Sequence, residues 1–182
     1  LTPYAGDFVT TGNGQVVENL DIAGRFKMRH HGVVVRNCLI RGGEPTEASW
    51  GCVEHYQARS PRSAFYDCTF APSTTTVYST NGIQGRDFDI FRCDIQLSVD
   101  GVGAQYGNVG IYGCFIHDLP WYAFDPNQRD GSHNDGVQCH GGGGGYIFRG
   151  NSIEMGTSTN ACFMVTQDVG AVTGLVIDKN WI

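Results

Sequence analysis

Short stretches of alternating apolar and polar residues recur along this chain, and they share an ending. Val33-Val34-Val35-Arg36-Asn37-Cys38-Leu39-Ile40 sets the pattern. It returns at Phe88-Asp89-Ile90-Phe91-Arg92-Cys93-Asp94-Ile95 and at Val109-Gly110-Ile111-Tyr112-Gly113-Cys114-Phe115-Ile116. Copies with Asn at the Cys position end at Ile153 and Ile182, and weaker copies end at Ile22 and Phe70. One column therefore reads Asn19, Cys38, Cys68, Cys93, Cys114, Asn151 and Asn180, at intervals of 19, 30, 25, 21, 37 and 29 residues. A second column interleaves with it: Gly51-Cys52-Val53, Gly82-Ile83-Gln84, Gly101-Val102-Gly103, Gly136-Val137-Gln138 and Ala161-Cys162-Phe163. Asn81, Asp100, Asp135 and Asn160 precede four of these.

Alternation with period two predicts strands. No window carries the i, i+3, i+4, i+7 stripe of an amphipathic helix. Two short strands per repeat, with small or polar residues at fixed corners and one loop of variable length, predict an all-β solenoid, a parallel β-helix of about seven coils forming a single domain over 1–182. Stacked coils pile equivalent positions into ladders. An inward ladder of Cys38, Cys68, Cys93 and Cys114 then reads as small apolar filler, and an Asn in that column can hydrogen-bond along the stack.

Composition sharpens this picture. Glycine accounts for 26 of 182 residues, about twice the average share. It follows no G-x-y period, so the glycines read as corners and as places where coils crowd. Charged residues make up 16%, as expected when much of each coil points inward. The net charge is −6, and Lys27 and Lys179 are the only lysines. No basic stripe of a nucleic-acid binder is present. The longest apolar run, Ala161 to Val165, is far short of the ~20 residues that span a bilayer, so membrane insertion is not expected. The seven cysteines include no CxxC pair and no zinc-site spacing. Gly141 to Gly145 reads as a permissive turn, since no phosphate-loop Lys follows it.

Ser132-His133-Asn134-Asp135-Gly136-Val137-Gln138, Asn160 through Gly170, and the ending Leu175 to Ile182 carry a likeness. Together they resemble the pectate-lyase-like right-handed β-helix proteins of actinobacteria and their phages, across nearly the whole chain. The resemblance implies a right-handed solenoid. It does not imply a reaction, because such rods serve as lyases, hydrolases, epimerases and tailspikes. The chain stops on a strand at Ile182. An uncovered sheet edge there predicts a longer polypeptide, or a neighbouring domain or chain over the C-terminal coil.

The longest interval, Cys114 to Asn151, must project from the rod. It combines Trp121, Tyr122 and Phe124 with Asp118, Asp125, Asp130, Arg129, His117 and His133. Aromatic faces beside carboxylates suit a sugar-binding groove. Trp121, Tyr122, Phe124, Gln138 and His140 are the substrate-binding candidates. Asp100, His117, Asp118, Arg129, His133 and Asp135 are the catalytic candidates.

Asp100 and Asp135 share a column in consecutive copies. Paired carboxylates suit glycoside hydrolysis. They could instead hold Ca²⁺, which in a lyase would neutralise a uronate while Arg129 or His133 acts as base. The plainer reading is a turn ladder, since Asn81 and Asn160 occupy the same column and Asx-Gly is a turn signal. The expectation is an extracellular, secreted or virion-associated protein that binds a polysaccharide and degrades it by lyase or hydrolase chemistry. Non-catalytic alternatives are a phage tail or receptor-binding module and a surface carbohydrate-binding or adhesive module.

Overall fold

The computed structural model describes residues 1–47, 51–55, 61–156 and 160–182. The chain winds into a right-handed parallel β-helix of seven coils, with three parallel sheets of seven strands each. Every coil contributes one short strand to sheet 1, then sheet 2, then sheet 3. Examples are Asp94–Gln96, Asp100–Gln105 and Val109–Tyr112. Right-handed connections between parallel strands are the rule for L-amino acids.

The alternation seen in the sequence becomes three apolar ladders inside the coil. In sheet 1 the stack runs Ile22, Ile40, Phe70, Ile95, Ile116, Ile153. In sheet 2 it runs Phe26, Val53, Ile83, Val102, Val137, Phe163. In sheet 3 it runs Val17, Val35, Phe65, Ile90, Ile111, Phe148. Nearly all of these are buried, and each such side chain is worth roughly 1.5–3 kcal/mol of transfer free energy.

Each coil holds three strands, where the sequence pattern predicts two. The stretch Val33 to Ile40 is not one strand but two, Val34–Arg36 and Leu39–Ile40. A single residue in the left-handed region bends the chain between them. All seven coils use this device, at Asn19, Asn37, Asp67, Arg92, Gly113, Gly150 and Lys179, with φ between 46° and 69°. Asn19 therefore stacks with Asn37, whose Nδ2 donates to Asn19 Oδ1 at 2.7 Å, rather than with Cys38. Asn tolerates left-handed φ and also ladders along a stack, so its type alone does not distinguish the two places.

The residue after the bend is the inward Cys or Asn. Cys38, Cys68, Cys93 and Cys114 are buried, and all seven cysteines are free thiols. Cys114 N–H donates to Asn151 Oδ1, and Asn151 N–H donates to Asn180 Oδ1, both at 2.9 Å. The glycine run is not a plain turn either. Gly143 begins the strand Gly143–Arg149, and a side chain at Gly143 would meet the Tyr106 carbonyl oxygen at 2.6 Å. Close backbone approach, not turn freedom, requires glycine there.

Candidate active site

The longest connections join sheet 1 to sheet 2. Residues 71–80 and 118–134 make two long loops there, while 97–99 form only a tight turn in the coil between them. A long loop on either side of a short one leaves a cleft of about 670 Å³ over the outer side of sheet 2. Tyr78 and Thr80 come from one wall. Asp125, Gln128 and His133 come from the other. Asp100, Asp135 and Gln138 lie on the strands at its floor, Asn160 and Met164 come from the next coil, and Glu47, Thr166 and Asp168 complete the lining.

The motif Ser132-His133-Asn134-Asp135 divides by alternation. Ser132 and Asn134 turn inward and clamp the loop base. Ser132 N–H donates to the Tyr122 carbonyl at 2.8 Å, Ser132 Oγ donates to Asn134 Oδ1 at 2.7 Å, and Asn134 Nδ2 donates to the Pro120 carbonyl at 2.8 Å. His133 and Asp135 are left facing the cleft.

Asp100 and Asp135 occupy one register position on consecutive coils, as the pairing Val102 with Val137 requires. Neighbouring parallel strands lie about 4.8 Å apart. Asp135 N–H donates to Asp100 Oδ1 at 2.8 Å, and Asn160 Nδ2 donates to Asp135 Oδ1 at 3.2 Å. The ladder and the carboxylate pair are therefore the same structure at Asn81, Asp100 and Asp135, whereas Ala161, not Asn160, takes the next register position and Asn160 reaches back from one residue outside it. Burial pushes the Asp135 carboxyl up to about 6, against the opposing pull of the Asn160 amide. Burial also pushes Asp100 well above the carboxylate range; the Asp135 N–H opposes this and the Asp135 charge adds to it. Desolvated carboxyls with raised pKa values in a cleft are a functional-site signature.

The other candidates are placed as follows. The His133 ring nitrogen meets Asp130 at 3.0 Å, and that bond holds Asp130 below the usual range. Gln138 lines the cleft. His140 stands two residues along the same strand, with Nδ1 3.0 Å from Asp168 Oδ2. Asp168 is lowered first by the Thr166 hydroxyl and then by His140.

His117 and Asp118 are elsewhere. His117 sits in sheet 1, stacked on Phe115 with ring centroids 4.0 Å apart. Its ring nitrogens meet Asp118 at 2.8 Å and Asp94 at 2.9 Å. Burial alone would lower its pKa, but these two carboxylates outweigh burial and raise it. Asp118 lines a separate groove with Leu119, Pro120, Glu154, Met155 and Gly156. Arg129, Trp121, Tyr122 and Phe124 lie outside the cleft lining. Trp121 packs over Gly131, where a Cβ would come within 2.6 Å of its ring, and Phe124 is 77% exposed.

Glu47, Tyr78, Thr80, Met164 and Thr166 are cleft residues that the sequence pattern does not single out. Tyr78 Oη donates to Glu47 Oε1 at 3.3 Å, which joins two loops 31 residues apart in the chain. Among the described residues, no group of three or more His, Cys, Asp or Glu is arranged as a metal centre. Asp100 and Asp135 are the two cleft carboxylates that share a rung position and could contribute to one. No family model matches the chain, and neither the search of curated proteins nor that of solved structures returns a match. The parallel β-helix assignment stands on the strand register itself.

Proposed function

We propose that this protein is an extracellular polysaccharide hydrolase of the pectate-lyase-like β-helix type, with a glycan lying across the outer side of sheet 2. The observation that carries this reading is the pair Asp100 and Asp135, stacked on consecutive coils, both desolvated and both on the cleft. Of the two, Asp100 holds its proton more firmly and is the general acid. It protonates the glycosidic oxygen as the bond from that oxygen to the anomeric carbon breaks. Asp135 ionises near pH 6 and is the base or nucleophile on the other side of the step. Water supplies the oxygen that ends on the anomeric carbon.

Hydrolysis fits the cleft better than elimination. A lyase must neutralise a uronate carboxylate with a cation and remove an adjacent proton with a strong base. Among the described residues, no Lys or Arg lines the cleft. The test is a polysaccharide panel read by reducing ends and by absorbance of unsaturated products. Reducing ends without unsaturated product are expected, with activity rising as pH passes about 6. Asp100→Asn and Asp135→Asn should each lower turnover by at least about 10²-fold. Unsaturated product that disappears with EDTA would move Asp100 and Asp135 to a Ca²⁺-binding role. Unchanged turnover in both variants would place the chemistry outside this pair, and no degradation of any glycan by the unaltered protein would leave a binding module.

A further inference from the structure

The charges of this protein are unevenly distributed. The cleft lining holds Glu47, Asp100, Asp125, Asp135 and Asp168, five of the chain's eighteen acidic residues, and none of its twelve Lys and Arg among the described residues; Asp100 keeps its proton, so the field comes from the other four. Elsewhere on the rod, several carboxylates are matched by guanidinium groups. Arg41 pairs with Asp21 at 2.7 Å, Arg92 with Asp67 at 2.7 Å and Arg149 with Asp178 at 3.0 Å. Among the described residues, the cleft carboxylates meet neutral donors or imidazole: Asn160 for Asp135, Tyr78 for Glu47, and Thr166 with His140 for Asp168. Concave walls of one sign focus the field and raise the local concentration of oppositely charged ligands.

We propose that the cleft selects a glycan carrying positive charge, an amino-sugar polymer, over neutral and acidic ones. This rests on the glycan-binding reading of the cleft and names its substrate class. The amine supplies the counter-charge that the protein withholds, and a uronate meets repulsion from both walls. Asp125 and Glu47, on the loops, set the preference without belonging to the reacting pair.

The test uses three probes in calorimetric titrations of the full chain: a glucosamine hexamer, cellohexaose and a galacturonate hexamer. The glucosamine hexamer is expected to bind at least tenfold more tightly than cellohexaose at low salt. That ratio should shrink toward one at about 1 M salt, where the screening length falls to about 3 Å. The galacturonate hexamer should not bind. Asp125→Asn and Glu47→Gln, both surface changes, should together reduce the ratio several-fold. Equal or tighter binding of cellohexaose or of the galacturonate hexamer overturns the proposal, as does no binding of the glucosamine hexamer. Cleavage of a neutral or acidic glycan with no amine preference sinks the substrate class alone and leaves hydrolysis standing. Tight, salt-sensitive binding of the glucosamine hexamer, with no reducing ends released from any glycan, sinks hydrolysis and keeps the class.

Discussion

Two corners of each coil are built on opposite plans. The corner from sheet 3 to sheet 1 is the same in all seven coils: one left-handed residue, then one inward residue, at φ values within 46–69°. Its polar groups are paired along the stack, as in Cys114, Asn151 and Asn180. The corner from sheet 1 to sheet 2 varies from the tight turn 97–99 to the long loop 118–134, and beside it stand carboxyls whose burial is not compensated by positive charge. One corner is optimised for stacking. The other gives up stability to hold desolvated carboxyls beside an open cleft. The lesson is that a repeat protein can vary one corner widely while the paired strands and a constant corner keep the register.

The contrast predicts large losses on the stacked side and gains on the cleft side. Phe65→Ala should have the largest effect, about 3–5 kcal/mol in denaturant unfolding. Phe65 is fully buried and packs edge-on between Phe26 and Phe70 at 5.9 and 5.6 Å. The next effect appears with pH. His55 is buried with neither ring nitrogen bonded to a partner among the described residues, and burial lowers its pKa from 6.5 to about 4. Between those values the unfolded chain binds a proton that the folded one refuses, so stability falls as pH drops from 6.5 to 4. The loss is on the order of 3 kcal/mol at the low end. It is absent above 6.5, and His55→Phe should remove this slope from melts recorded across the interval.

Gly113→Val should cost about 1–2 kcal/mol in chemical unfolding, the price of left-handed φ. Space is not the obstacle, since the nearest atom to an added Cβ is 3.9 Å away. Gly113→Asn should be close to neutral, because Asn19 and Asn37 already serve as the same corner. An equal cost for Val and Asn would mean that the corner is not held by φ.

The smallest predicted change has the opposite sign. Asp135 ionises near 6 in the fold and near 3.8 when exposed. The folded state therefore holds the proton longer, and a stability penalty grows as pH rises from 3.8 to 6 and stays full above it. After allowance for solvent screening, Asp135→Asn should stabilise the protein by about 1 kcal/mol at neutral pH and by nothing below 3.8. A thermal melt that moves down at neutral pH would show that the Asp135 hydrogen bonds outweigh its desolvation.

Much of the scaffold was legible in residue types. Ile40, Ile95, Ile116 and Ile153 recur because an inward ladder tolerates only apolar side chains of similar volume. The third strand was hidden because a one-residue bend at Arg92 or Asp67 leaves the apolar alternation almost unbroken on either side. In the site, Asp100 and Asp135 were legible as members of one column. His117 and Asp118 were grouped with them by proximity in sequence, yet His117 stands on sheet 1, bonded to Asp94, and Asp118 follows directly after that strand. Trp121 and Phe124 suggested a sugar platform, yet one packs over Gly131 and the other points to solvent. Glu47, Tyr78 and Thr166 carried no signal, because each owes its place to a loop from a different coil.

The sequence by itself determined the repeat, the inward ladders and the column that stacks Asp100 on Asp135. Those are periodic, and periodicity is a local property of the chain that stacking only multiplies. The tertiary structure alone decided which loops face each other and which carboxyls lose their water. It also decided that the basic side chains pair on other faces while the cleft stays acidic. Those depend on the relative lengths of loops in different coils, and no local pattern encodes that comparison.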